Sequence, residues 1–268
     1  MKYDPIKNSI TAIVRTRVIL RRLLYTLLGL LFLREWHVKR QLRRILGSGN
    51  VATMYDAGSG LGQYSYYCAR RFPSLSLLAV DVKEDQIAEC TEFFRKRGIR
   101  NVRFATEDLL TQSHAEEFDF ILSVDVMEHI ADDVTVFRNF FRSLKPNGLV
   151  LINTPSTLGG SDAHEPDDES FIEEHARVGY DPAELRQKLE SAGFRIETML
   201  FTYGPWGSRA WKAGIKIPLL MVNSSRFFFL LLPFYYLLVL PFTLFFMYLD
   251  YRSENSTGTG LLVTARKG

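Results

Sequence analysis

Apolar positions fall into short blocks through the middle of the chain and into long unbroken runs near both ends. Five central blocks have the length and β-branched content of strands: residues 51–55, 75–81, 101–110, 118–130 and 144–155. Helical spacing fills 63–71 and 83–97, the second stopped by Gly98. Residues 181–194 open on an Asp N-cap with Pro at the first helical position. Two more strands are expected at 195–203 and 259–267. Strand and helix alternating in this way predict an α/β fold with a doubly wound, seven-stranded, mostly parallel Rossmann-like sheet.

The end runs depart from that pattern. Leu23 to Leu33 are uncharged, but eleven residues fall short of the roughly 20 needed to cross a bilayer. Downstream, Val38, Leu42, Ile45 and Leu46 recur at helical spacing among arginines and lysines. Residues 1–46 carry eleven Lys or Arg against two acids, a net +9, which leaves −6 on the rest of a chain whose total is +3. Residues 10–46 are therefore expected to be amphipathic helices lying on an anionic leaflet. Helices packed on the domain's own surface, or a signal peptide, are the alternatives. Near the other end, Phe227 to Leu249 are uncharged over 23 residues. If the strands on either side share one sheet, a single crossing is impossible, and Pro233 and Pro241 are expected to break the run. A re-entrant or in-plane hydrophobic insertion is expected, with a true span and a buried core or oligomer contact as the alternatives. Three units result: 1–46, membrane-associating helices; 47–203 with 256–268, the main domain; and 204–255, the insertion.

Chemistry concentrates at residues 51–62, VATMYDAGSGLG, where a buried strand ends at Asp56. Gly58, Gly60 and Gly62 let the backbone turn sharply and approach a ligand before a helix begins. A dinucleotide fingerprint needs a glycine at position 63, which is Gln, and Asp56 suits a cation better than a pyrophosphate. S-adenosylmethionine (SAM) satisfies both ends of the loop. Asp81 lies 19 residues past Gly62, where one helix and one strand return an acid to a ribose. Asp108 ends the third strand and can accept from the adenine amino group. The fourth strand delivers Asp125, Glu128 and His129 to the same crevice. Residues 156–176 have the composition of a mobile cover, with a plain solvated loop as the alternative. His164 and His175, in that segment, and Arg177 beside it are candidates for contact with a substrate, Arg177 through an anionic headgroup. Cys68 and Cys90 are too few for a disulfide framework.

The motifs DAGSGLG, AVD, TEDLL, FDFILSVDVMEHI and LKPNGLVLINTP resemble those of class I SAM-dependent methyltransferases. The chain is most similar to the branch that holds the ubiquinone-biosynthesis O-methyltransferases. The resemblance implies a seventh, antiparallel strand. It also implies cofactor contacts from Asp56, Gly58, Gly60, Asp81, Asp108, Ser123, Val124 and Asp125, with the adjoining Ala57, Gly62, Val82, Glu107 and Leu109. In the quinone enzymes an acid-x-x-Glu-His run is associated with a divalent metal; here it is Asp125, Glu128 and His129, with Asp in place of Glu. Relatives lacking a metal share the run, so no metal is expected, a divalent ion remaining the alternative.

The expected activity is methyl transfer, O-methylation first, to a lipid or isoprenoid-like amphiphile at the cytoplasmic face of a membrane. His129 is the candidate base and Glu128 its orienting partner. A SAM-binding membrane scaffold that supports a partner enzyme is the alternative. Nucleic acid is not expected as a partner: the N/D-P-P-Y/F run of amino-methylating DNA enzymes is missing, and the basic residues alternate with Leu rather than with stacking aromatics.

Overall fold

The central apolar blocks become strands because each can bury both faces between layers of helix. The structure is a computed structural model that describes residues 18–158, 176–225 and 227–268. Its strands are β1 (Thr53–Ala57), β2 (Ser76–Asp81), β3 (Val102–Thr106), β4 (Phe118–Val124), β5 (Leu144–Pro155), β6 (Phe194–Thr202) and β7 (Gly260–Lys267). They form one sheet in the order β3-β2-β1-β4-β5-β7-β6, with β7 antiparallel to both neighbours. Strands β1 and β4 are parallel neighbours, yet the chain leaves them toward opposite edges of the sheet. Their carboxyl ends therefore flank a crevice, the place where such sheets take ligands.

Helices cover both faces. On one, α5 (Asp133–Ser143) and α6 (Pro182–Ser191) set Val136, Phe137, Phe140, Leu185 and Leu189 against Tyr55, Ile121, Val150 and Val263. Asp181 starts α6 as a cap, accepting from the amides of Ala183 and Glu184. On the other face lie α3 (Gln63–Arg71) and α2 (Leu33–Leu46), with α4 (Glu84–Lys96) beside β3.

The N-terminal helices sit differently from expectation. Val38, Leu42, Ile45 and Leu46 of α2, anticipated at a bilayer, are buried against Met54, Phe120, Leu151 and Leu262 of the sheet. Each such side chain contributes about 1.5–3 kcal/mol when removed from water. The helix is a layer of the fold, and residue 46 is no physical boundary. The preceding α1 (Val18–Leu31) is also docked. Arg21, 2% exposed, donates to the carbonyls of Leu61 (2.7 Å) and Glu89 (3.2 Å), and the Tyr25 hydroxyl also donates to Leu61. Ile19, Leu23 and Leu27 remain exposed on a neighbouring stripe of that helix. The residues before position 18 lie outside the described ones.

The insertion between β6 and β7 is a helical hairpin. Helix α7 (Pro205–Trp211) runs through a π-helical turn at Lys212–Lys216 into α8 (Ile217–Ser224), and α9 (Phe228–Arg252) returns. Contrary to expectation, Pro233 and Pro241 lie inside one unbroken 25-residue helix, about 37 Å long at 1.5 Å per residue. Two tyrosines between the prolines hold it. Tyr235 and Tyr236 donate to the carbonyls of Ala213 (2.6 Å) and Gly214 (2.8 Å), tying α9 to the facing arm where its own backbone ladder is weakest. Among the described residues α9 is the one helix long and apolar enough to cross a membrane, and almost none of its apolar stretch is covered by protein.

The base of the hairpin is polar and closed. Asp250, fully buried, accepts from the Gly207 amide (3.0 Å) and from Asn255 (3.3 Å), and faces Nε2 of the buried His37 at 3.4 Å. Leu33 packs beside it on Ala210 and Met247.

Candidate active site

Strand β1 runs into a loop that only glycine can form at three points. Gly58, Gly60 and Gly62 have φ of +77°, +51° and +73°. The amides of Gly58 and Ser59 donate to the carbonyl of Val80 at 3.0 and 2.7 Å, which folds the turn against β2. A side chain on Gly58 would meet Val126 at 2.4 Å, whereas one on Gly60 would meet nothing within 4 Å, because Gly60 faces open space. That space is a cleft of about 570 Å³ at the carboxyl ends of the strands.

Most of the expected site residues line this cleft: Gly58, Gly60, Asp81, Val82, Glu107, Asp108, Leu109, Val124, Asp125 and His129. Asp81 is fixed from both sides, its two oxygens accepting from the amides of Gly60 (2.9 Å) and Lys83 (3.0 Å). Each oxygen keeps a lone pair for a ribose hydroxyl. Val82, 60% exposed, offers an apolar surface beside it. Asp108 caps the turn after β3 through Leu110 (2.9 Å) with one oxygen and has a second to offer. Glu107 is more committed, accepting from the Tyr55 hydroxyl and facing His114 at 3.0 Å.

A second group stands behind the wall rather than on it. Asp56, Ala57, Gly62, Ser123 and Glu128 do not line the cleft. Asp56 is 3% exposed and accepts from the Ser65 hydroxyl, and burial pushes its carboxyl up to about 6. Its carboxylate is thereby tied to the first turn of α3, behind the glycine loop. Glu128 is 1% exposed and accepts from Thr154 at 3.1 Å; burial raises it to about 7. Glu128 is thus buried behind the wall, on Thr154, while His129 lines the cleft. Of the Asp-x-x-Glu-His run, Asp125 and His129 line the cleft and Glu128 lies behind it, and no cluster of three His, Cys, Asp or Glu that could hold a metal occurs among the described residues.

Arg177 is also placed elsewhere. Its guanidinium pairs with Asp133 and donates to the carbonyls of Ile130 (2.9 Å) and Ala131 (3.0 Å). Asp133 is 3% exposed at its side chain and draws Lys188 (2.9 Å) and the Tyr180 hydroxyl (2.6 Å) as well. A buried carboxylate needs such partners, and Arg177 is one of them. His164, His175 and the cover segment from 159 to 175 fall outside the described residues.

Several lining residues carried no motif. Arg34 reaches the cleft from the start of α2 and forms an ion pair with Asp125. Asp125 itself has φ +53° and is anchored to Asn153, whose side chain donates to it at 2.8 Å. Ser59, Leu61, Gln63, Tyr64, Lys83, Gln86, Val126 and Ile130 complete the wall. The cleft fits SAM: its size is that of a small-molecule site, its floor is bare glycine backbone, and the buried Ser59 hydroxyl has no partner among the described residues.

Comparison with known proteins agrees with this geometry. A family described as a methyltransferase domain matches residues 54–148. Phosphoethanolamine N-methyltransferase 1 of Triticum aestivum is 33% identical over 143 residues, 52% of this chain but 27% of the relative. The ubiquinone biosynthesis O-methyltransferase of Caulobacter vibrioides is 31% identical over 103 residues, 38% of this chain and 40% of the relative. The chain therefore spans well under half the length of these curated relatives. Among solved structures, Haemonchus contortus phosphoethanolamine N-methyltransferase 2 in complex with S-adenosyl-L-methionine superposes with a TM-score of 0.59 at 20% identity, covering 85% of this chain and 52% of that one. The left-handed glycine turn, the acids that end β2 and β3 and the antiparallel seventh strand give the fold of class I SAM-dependent methyltransferases, and residues 54–148 within it match a methyltransferase domain.

Proposed function

We propose that the chain transfers the methyl group of SAM to a hydroxyl of a lipid-like, amphiphilic acceptor held at the anionic, cytoplasmic face of a membrane. The observation that carries the reading is the junction at Leu33 and Arg34. Leu33 is buried on Ala210 and Met247 of the apolar hairpin, and its neighbour Arg34 lines the cofactor cleft. The cleft is therefore joined through consecutive residues to a surface with no use in water. Phe229, Leu230, Phe234, Leu237, Leu238 and Phe242 of α9 are between 46% and 75% exposed. Because β6 and β7 are neighbours in the sheet, the hairpin enters and leaves on one side, as a monotopic insertion requires.

SAM supplies a methyl group on a cationic sulfur, an electrophile that needs little covalent help. The protein's work is positional, an effect worth roughly 7–11 kcal/mol at best. Gly58 and Gly60 would cradle the amino-acid end, and Asp81 the ribose. Asp108 and Val82 would hold the adenine, with Asp125 a fixed negative charge beside the cleft. His129, exposed in the cleft, would take the proton from an acceptor hydroxyl.

Replacing residues 217–241 by a short polar loop, which keeps Ala210 and Met247 on Leu33, tests the membrane role. SAM affinity should persist, while transfer of labelled methyl to acceptors in bilayers of a total lipid extract should collapse. Full activity on bilayer-embedded acceptors would overturn it, and no label from any extract with the intact chain would favour a scaffold. N-methylation is the second reading, favoured by the likeness to phosphoethanolamine N-methyltransferases; product analysis separates an ether from an amine.

A further inference from the structure

A second cavity, of about 470 Å³, lies between α1 and α3. Its charged residues are all basic: Arg22 on α1, Lys39 on α2, and Arg70 and Arg71 at the end of α3. Tyr66 and Tyr67 form its aromatic wall. The cations lie along these rings: the Arg70 guanidinium is 5.5 Å from the Tyr66 centroid and donates to its hydroxyl (3.0 Å), and the Lys39 ammonium is 5.3 Å from the Tyr67 centroid. Glu35 pairs with Lys39 at 2.8 Å but is buried beneath it and does not line the cavity. Gln63 lines this cavity and the cofactor cleft alike.

We infer that this groove is a binding site for the phosphate of an anionic lipid headgroup. Lys39 is already balanced by Glu35, but Arg22, Arg70 and Arg71 make no ion pair among the described residues and converge where no acid lines the wall; guanidinium groups match phosphate oxygens in pairs. The lipid source follows from the same helix: Arg22, Tyr25, Thr26 and Gly29 face the groove, while Ile19, Leu23 and Leu27 form the adjoining exposed apolar stripe. A headgroup in the groove would leave its acyl chains beside that stripe. A nucleic acid would use the charge but leave the stripe in water. The site is also distinct from Arg177, whose charge is already neutralised by Asp133. Through Gln63 and α3, an occupied groove abuts the helix that begins at the glycine turn, so the headgroup would be held within one helix length of the cofactor.

This inference rests on the membrane reading above, and the test separates the two. The full chain and an Arg22→Gln, Arg70→Gln, Arg71→Gln variant are compared for binding to phosphatidylcholine vesicles with and without phosphatidic acid. The intact chain should prefer the acidic vesicles. The variant should lose about 100-fold of that preference, three charges at roughly tenfold or less each, while binding neutral vesicles and SAM unchanged. Removing three charges elsewhere (Arg95→Gln, Lys96→Gln, Arg97→Gln) should cost under tenfold. Displacement by glycerol phosphate or inorganic phosphate supports a site for the phosphate group from either source; preference without displacement supports one that needs the lipid. Equal losses in the two variants, or none in the first, overturn the groove. Groove-dependent binding of single-stranded RNA without vesicle preference overturns it in favour of nucleic acid. An intact chain that binds neither kind of vesicle overturns the membrane reading as well.

Discussion

Arg34, the second residue of α2, and Asp125, the first residue after β4, form an ion pair at the wall of the cofactor cleft. The pair joins the N-terminal layer to the carboxyl end of the central strand. Asp125 holds a left-handed conformation that a non-glycine residue adopts at some cost, and Asn153 and Arg34 supply the restraints that keep it there.

Asp125→Asn should weaken SAM binding by about tenfold or more, equivalent to about 1.4 kcal/mol. The change removes a negative charge beside a cationic ligand and leaves Arg34 uncompensated in the same wall. Isothermal titration with SAM checks it; an unchanged affinity would show that Asp125 acts on the fold alone.

Gly58→Ala and Gly60→Ala should part company. Both force a side chain into positive φ, at roughly 1–2 kcal/mol. Only at Gly58 does the new methyl strike Val126, so that variant should lose both thermal stability and SAM binding. Gly60→Ala projects into the open cleft and should lose SAM affinity with a smaller shift in melting temperature.

Glu128 gives a pH signature. Its folded-state pKa is raised by burial to about 7 from 4.5, so the fold favours its protonated form. The destabilisation is absent below 4.5, grows between 4.5 and 7, and is complete above 7. Glu128→Gln, which stays neutral, should therefore raise the melting temperature at pH 8, with the gain shrinking toward pH 5. A gain independent of pH would place the stabilisation outside this carboxyl.

His129→Ala should lower kcat on a hydroxyl acceptor by about 10²–10⁴ and leave SAM affinity within a factor of two or so. An amine acceptor arriving unprotonated needs no base, so on such a substrate the loss should be small. The same variant thus tells O- from N-methylation.

Much of the fold was legible because the strands are short, apolar and punctuated by Gly58, Gly98 and Pro182. The cofactor cleft was legible because its acids end strands, where parallel topology fixes their destination. What was hidden came from tertiary packing. Val38 and Leu42 have the same spacing whether they face lipid or a sheet, and only the uncovered face of β5 and β7 decides between them. Arg34 reads as one arginine among many until α2 is docked. The inward turn of Glu128 depends on Thr154, 26 residues later, and the capture of Arg177 depends on the burial of Asp133. Continuity of α9 through two prolines rests on hydroxyls 22 residues from their acceptors.

The hairpin leaves the sheet from two adjacent strands, β6 and β7, and its stem is closed by Asp250 and Gly207. Its arms consequently have a fixed origin and a free far end. Adding or deleting one turn in each arm would change its reach by about 5.4 Å without disturbing a single strand register. Under the membrane function proposed above, the hairpin would be a ruler: its length would set the standoff between the cleft and the bilayer, and with it how far an acceptor must rise to be methylated.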